Sequence, residues 1–219
     1  MPLQPETLSL SAAVFGLGHD GDLVFLDVSR DRYVCLPDVG EGASLSPDRR
    51  QIIVCDPGLG AELRSAGLVH DGAPSPGPAR GPSCAPSRSA LPDDLGPPEP
   101  GDLIDMTRCG VDLLFSYRGR SFAEILARAA TPLGTEPSEP LEAVVQRFHR
   151  WAPYAPFSGK CLLRSFVLLR HLRRHGHDPA WVFGVTTWPF GAHCWLQHDD
   201  VVLDDTCDRV ALFRPILVL

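Results

Sequence analysis

The 219-residue chain is 44% hydrophobic, enough to bury a sizeable core, and carries a net charge of −7. An acidic whole argues against general nucleic-acid binding, which needs a basic face, and no apolar run approaches the ~20 residues of a membrane span. Seven cysteines stand singly at positions 35, 55, 84, 109, 161, 194 and 207, a pattern that argues against a zinc ribbon or a disulfide framework and fits reduced thiols.

In chain order, Met1-Pro2-Leu3-Gln4-Pro5-Glu6 lacks the basic patch and apolar stretch of a secretory signal, so a cytoplasmic location is expected. Three short strands are expected at 12–17, 22–28 and 32–36, separated by the turn-prone breaks His19-Asp20-Gly21 and Ser29-Arg30-Asp31. Val24, Leu26 and Val28 alternate with Phe25 and Asp27, so the second strand is apolar on one face and nearly so on the other. A weakly helical stretch, limited by Pro47 and Pro57, ends at 61–69. Residues 72–101 hold nine prolines and five glycines, leaving few apolar side chains to bury. They are expected to form a mobile linker between a domain of residues 1–71 and one of 102–219.

Helices are then expected at 103–114, 121–130 and 141–151, separated by Gly119 and by 132–140. A further helix begins around Cys161, with Ser158 as N-cap and Gly159 and Lys160 at its first two positions, and ends at Gly176. Leu162, Leu163, Phe166, Val167, Leu169 and Leu172 form its apolar stripe. Arg164, Arg170, Arg173 and Arg174 take the other side and read as a solvated face. They account for the local basic surplus, since residues 141–219 carry nine Lys/Arg against seven Asp/Glu. A strand meander follows at 180–186, 193–197 and 201–205, with Asp199-Asp200 at its second turn, and 213–219 reads as a short apolar strand.

The chemistry concentrates in this last third. Cys161 lies in a helix's first turn, where the helix dipole and unpaired backbone N–H groups favour a thiolate. His193 opens a strand 32 residues later. If the two meet, they supply the nucleophile and base of a cysteine hydrolase or acyltransferase. A third group should fix the imidazole, and Asp204 and Asp205 compete for that place. With a two-residue hairpin loop, Asp205 lies opposite Cys194 and Asp204 shares the face of His193, one diagonal away. With a three-residue loop, Asp205 sits opposite His193. The sequence alone leaves the loop length open. His171, His175 and His177 could suggest a metal, but no His-Glu-x-x-His pattern accompanies them, so no metal is expected. No phosphate-binding glycine motif is present.

Several spaced motifs agree in order with one family. Cys161-Leu162-Leu163-Arg164-Ser165, the helix end Arg173-Arg174-His175-Gly176, Gly184-Val185 and Pro189-Phe190-Gly191-Ala192-His193-Cys194-Trp195 resemble the B proteins of bacterial lasso-peptide biosynthesis. Those are leader peptidases of the transglutaminase-like superfamily, and the resemblance spans roughly residues 141–219. It implies an α+β fold: a papain/transglutaminase-like cysteine peptidase domain, with helices packed on an antiparallel sheet, preceded by a small winged-helix-like β-rich domain. It implies Cys161 as nucleophile and His193 as general base. Asp205 falls on the family's Asp, which implies the three-residue loop or an equivalent bulge. The family commonly has Asp-Gly at this hairpin, where the chain has Asp199-Asp200.

The front segments Leu23-Val24-Phe25-Leu26-Asp27 and Arg32-Tyr33-Val34-Cys35-Leu36 resemble strands of the winged-helix module that recognises leader peptides. There a leader segment adds as a strand, and Leu26, Asp27, Arg32, Tyr33 and Leu36 would be its contacts. Pro47, Pro57 and Gly58-Leu59-Gly60 interrupt what should be a three-helix half. The implied partners are the leader segment of a precursor peptide and an ATP-dependent lasso cyclase, and cleavage itself would need no cofactor. Two other functions compete: an acyltransferase or transglutaminase using the same triad, and a non-catalytic peptide-binding protein.

Overall fold

Short apolar runs broken by turn residues make the front of the chain β-rich in the computed structural model, which describes residues 4–219 apart from 40–41, 76–83, 92–94, 132–135, 138 and 156–159. Strands β2 (Val14–His19), β3 (Asp22–Asp27) and β4 (Arg32–Leu36) form an antiparallel sheet with β3 at its centre. Asp20 and Gly21 take φ of +51° and +88°, the left-handed pair that a two-residue hairpin loop favours. Strand β1 (Glu6–Leu10) lies between β6 (Gln51–Val54) and β7 (Val69–His70) in a second sheet, with β5 (Ala43–Leu45) outside β6. Helix α1 (Pro57–Ser65) starts at Asp56, whose carboxylate accepts the Gly58 N–H, with Pro57 at the first helical position.

The expectation of weak helix before residue 61 is corrected at 43–54, where β5 and β6 form a hairpin. Ile52-Ile53-Val54 is a β-branched run, and β6 pairs along its length with β1. Among the described residues before position 76, α1 is the one α-helix, so the three-helix half of a winged helix is not matched.

Strand β3 is buried on both faces. Leu23 and Phe25 pack with Leu8, Ile52 and Leu63, whereas Val24 and Leu26 face a second core containing Phe166, Trp181 and Leu196. The period-2 alternation of one strand therefore joins two cores.

The segment expected to be a mobile linker contributes structure at 87–90, a proline-free run between Pro86 and Pro92. Strand β8 (Arg88–Ser89) runs parallel to β11 (Val201–Val202). The Ser87 and Ala90 N–H groups donate to the Asp200 and Val202 carbonyls at 2.8 and 2.7 Å.

Beyond it, α2 (Asp102–Asp112) runs into a π-helical turn at Leu113–Tyr117. Helix α3 (Phe122–Ala129) opens with a capping box between Ser121 and Glu124, and α4 (Leu141–Trp151) follows. Helix α5 (Cys161–Arg174) has Lys160 at its N-cap, so Lys160 precedes the helix; Ser158 and Gly159 lie outside the described residues. Strands β9 (Ala180–Thr186) and β10 (Gly191–His198), short helix α6 (Cys207–Val210) and strand β12 (Arg214–Val218) complete the chain. Sheet order is β12-β9-β10-β11-β8, antiparallel apart from β8. No helix among the described residues is long and apolar enough to cross a membrane.

Helix α5 lies against β10 with Phe166, Val167, Leu168, Leu169 and Leu172 all at most 1% exposed. Each such side chain stabilises the fold by about 1.5–3 kcal/mol. Its arginines are not the solvated face expected of them. Arg170 is buried and donates to Asp112 and to the Arg128 carbonyl, Arg174 pairs with the same Asp112, and Arg173 pairs with Asp178. Carboxylates from α2 and from the loop after α5 pull these heads inward, because a buried guanidinium needs a partner.

Candidate active site

Cys161 is the first residue of α5, where backbone N–H groups lack intrahelical partners and the dipole is positive. Its side chain is half-buried and faces β10. A hydrogen bond with the Cys194 thiol is the largest influence on its pKa; bonds with the His193 ring and the Cys194 backbone N–H act in the same direction. Burial opposes them and loses, and the Cys161 pKa is pushed down to about 3. Cys194 is pushed the other way, well up, and its thiol donates to Ser165 Oγ at 3.8 Å. Cys161 is therefore a thiolate at neutral pH.

His193 is the third residue of β10, two positions later in the strand than expected, because Gly191 and Ala192 already pair with Thr186 and Val185. Its ring is buried between Trp195 and Phe213, with centroid distances of 6.1 and 5.1 Å. Nε2 lies 2.7 Å from Asp205 Oδ2, which leaves Nδ1 as the nitrogen for Cys161. Burial alone would lower the His193 pKa, but the bonds to Cys161 and Asp205 outweigh it and the net shift is upward. The structure thus brings Cys161, His193 and Asp205 together.

Of the two routes that the resemblance implied for Asp205, a three-residue loop or an equivalent irregularity, the three-residue loop is corrected. Gln197 pairs with Val202 and His198 with Val201, so the loop is the two-residue Asp199-Asp200. Strict parity would then have turned Asp204 toward His193. The ladder instead ends at β11, and the chain bends through 203–205. The bend is held by His149 Nε2, 2.8 Å from the Leu203 carbonyl. Beyond the bend Asp205 reaches the imidazole, and its other oxygen accepts the Thr206 N–H at 2.8 Å. Arg164 and Arg209 flank it at 3.5 and 3.7 Å.

Asp204 points the other way, into the core. It accepts the Leu196 N–H at 2.8 Å and meets Ser165 Oγ at 2.7 Å, and its burial pushes its pKa up. Ser165 Oγ also lies 2.9 Å from the Cys161 carbonyl and 3.3 Å from that of Cys194. Sequence reasoning missed His149, Ser165 and the inward role of Asp204. The one available signal was the Cys161/Ser165 spacing of four, which puts both on one helix face.

The residues expected to contact a leader divide sharply. Leu26 is buried in the core beneath α5. Asp27 is fully covered by Ser29, Arg30 and Arg32 at 2.6, 2.9 and 3.3 Å, and Arg32 donates also to the Ala66 carbonyl. These three tie β3 and β4 to the end of α1. Leu36 packs against the front core. Tyr33 is different: it lies on β4, an outer strand of its sheet, and contacts Phe190 at 5.7 Å. Burial first, and then electrostatic interaction with Cys194 and Cys161, raises its pKa.

Of the histidines weighed for a metal, His171 and His175 approach Asp105 with donor atoms within 4.8 Å of one another. Arg147 already faces this group, 3.6 Å from Asp105 and 3.5 Å from His175 Nε2. Burial, then the charges of His175 and Arg147, push His171 down to about 3. His177 is turned away to the Glu139 carbonyl.

A family model described as "Transglutaminase-like superfamily" matches residues 107–218, about half the chain and all three residues of the Cys161 cluster. No curated protein and no solved structure matches.

Proposed function

From the premise that the chain belongs to the transglutaminase-like superfamily, we propose that it is a cysteine peptidase that removes the leader from a ribosomally made lasso-peptide precursor. The observation that carries the peptidase reading is the Cys161–His193–Asp205 chain of contacts at the start of α5, with the 2.7 Å bond from Asp205 to His193 at its centre. In this reading the Cys161 thiolate attacks the carbonyl at the leader–core junction. His193, as imidazolium, gives its proton to the leaving amine, and the core departs. His193 then takes a proton from water, which hydrolyses the thioester to release the leader and the thiolate. Asp205 keeps the ring oriented, and the Cys161 backbone N–H donates to the oxyanion.

The leader is proposed to add along β4, where Tyr33 joins the strand to the Cys161 cleft. This follows the resemblance of the front strands and the position of β4 as an outer strand. Of the expected contacts, Tyr33 and the β4 backbone suit this docking; Leu26 and Asp27 are covered by the chain itself. An ATP-dependent lasso cyclase, which would close the freed core, and a reducing cytoplasm are parts of the same proposal.

The test is the full-length protein with the precursor encoded beside its gene. Cys161→Ala is expected to lose at least about 10³-fold in cleavage rate while still binding the leader. Cleavage that survives in Cys161→Ala would overturn the peptidase reading. Adding a primary amine separates the acyltransferase alternative: an amide of the released leader in place of its free acid would identify transfer.

A further inference from the structure

The thiolate of Cys161 interacts with a second cysteine, Cys194, and the peptidase mechanism makes no use of that side chain. Cys194 lies on the β10 face that α5 covers and is 3% exposed. Its thiol and its backbone both act to lower the Cys161 pKa, and the thiol donates to Ser165 Oγ at 3.8 Å. Ser165, one turn along α5, fixes this approach from both sides: its hydroxyl is 2.9 Å from the Cys161 carbonyl, 3.3 Å from the Cys194 carbonyl and 3.8 Å from Cys194 Sγ. One hydroxyl 2.9 and 3.3 Å from two carbonyl oxygens holds those oxygens no more than about 6 Å apart. A disulfide asks for the same approach, about 4.4–6.8 Å between Cα atoms.

We propose that Cys161 and Cys194 are a reversible redox pair, in which peroxide converts the active-site thiolate to an intramolecular disulfide that silences the enzyme and protects its sulfur. The proposal deepens the peptidase reading and rests on Cys161 being its reactive thiolate. In the first step the thiolate attacks one oxygen of hydrogen peroxide. The O–O bond breaks, a Cys161 sulfenic acid forms, and the hydroxide leaving group takes a proton to become water. In the second, the Cys194 sulfur attacks the sulfenic sulfur. The S–O bond breaks, and the hydroxyl leaves as a second water with the Cys194 proton. Overall two cysteines lose two electrons, and one peroxide is reduced to two waters. A dithiol or two monothiols reverse the change by exchange.

The location explains why Cys194 and no other cysteine would resolve the sulfenic acid. Cys35, also partly buried, lies on β4, whereas Cys55 and Cys84 are exposed. Cys109 is buried on α2, and Cys207 opens α6 against the opposite face of the sheet. A sulfenic acid at Cys161 meets Cys194 first. Without that neighbour, further peroxide would drive it to the sulfinic acid, which simple thiols do not reduce.

The experiment treats reduced full-length protein with hydrogen peroxide under native conditions and blocks residual thiols. Trypsin and chymotrypsin together separate Cys194 from Cys207 before mass spectrometry. The expected result is a dominant Cys161–Cys194 cross-link, 2 Da lighter than the two thiols. Leader cleavage should fall with the cross-link and return on adding dithiothreitol. In Cys194→Ser the same treatment should instead add 32 Da at Cys161, with no recovery. The proposal is overturned if wild-type Cys161 gains 32 Da while Cys194 remains alkylatable, if both thiols survive peroxide, or if Cys161 cross-links elsewhere. The cross-link is read by mass, so its formation in a protein that never cleaves a precursor would overturn the peptidase reading and leave the redox pair standing.

Discussion

Two adjacent aspartates separate into two jobs, and their substitution should read out differently. Asp205 touches the His193 ring, whereas Asp204 closes a buried hydrogen-bond set with Ser165 and the Leu196 N–H. Asp205→Ala should cost about 10²–10⁴-fold in kcat, an effect on activity that its lost bonds to His193 and the Thr206 N–H would not produce through stability alone. It also removes a bond that raises the His193 pKa. The imidazolium needed to protonate the leaving amine exists below that pKa, so the alkaline limb of the cleavage profile should move to lower pH. Asp204→Ala strands the buried Leu196 N–H and removes one of three acceptors from the Ser165 hydroxyl, at a cost of about 1–3 kcal/mol, and should lower Tm by on the order of 2–10 °C. Asp204→Asn, which can still accept one bond and donate another, should recover most of it. Melting curves and cleavage rates over pH decide the matter: an Asp204→Ala protein with native Tm and no activity would reverse the assignment. Cys161 was legible because it stands at a helix start, and His193 because it lies early in an apolar strand, at its third residue. Which aspartate serves was not legible from alternation, because alternation describes a strand and β11 ends before either residue.

At the scale of elements, helices announced themselves and short strands did not. Ser121-x-x-Glu124 marks the start of α3, and Gly176, at φ +83°, follows the end of α5. Strands β1, β5 and β6 are three to five residues long, and the partners of β1 lie about forty to sixty residues away, so local pattern carries little of their signal. The arginine side of α5 misled for a related reason: its carboxylate partners come from α2 and from loops, which spacing within one helix does not reveal. Strand β9 shows how tightly the His193 strand is supported from beneath. Gly184 pairs with His193 and also with Pro215, and a Cβ added there would sit 2.9 Å from both Phe213 Cβ and the Trp195 ring. Those two aromatic residues flank the imidazole. Gly184→Ala should therefore destabilise by about 1–3 kcal/mol through overpacking and lower kcat as the His193 ring is displaced. Wild-type melting and cleavage in this variant would mean that Phe213 and Trp195 yield without disturbing the site.

Across the whole molecule the front sheet and the family-matched region share one core. Leu17, Val24, Leu26 and Val28 pack in the same cluster as Phe148, Phe166 and Trp181. Two polar ties reinforce the join: Trp188 Nε1 donates to Asp22 at 2.8 Å, and Arg49 donates to the Pro215 carbonyl at 2.9 Å. Proline content marks where the chain crosses between the two parts, but it does not tell how much surface they bury together. The consequence is that the catalytic part should depend on the front for its stability. Deleting residues 1–101 removes strand β8 from the sheet and four buried apolar side chains from that core, each of the four contributing about 1.5–3 kcal/mol, so the loss is on the order of 6 kcal/mol or more. Domains of this size commonly have about 5–15 kcal/mol in total. The fragment 102–219 is therefore expected to lack a cooperative thermal transition and to expose apolar surface to a hydrophobic dye. The full chain should melt in a single step that includes both parts, because a strand buried on both faces cannot leave one core and stay in the other. A fragment 102–219 that melts cooperatively near the temperature of the full chain would show that β3 covers the catalytic part without supporting it, and the front sheet would then serve peptide delivery alone.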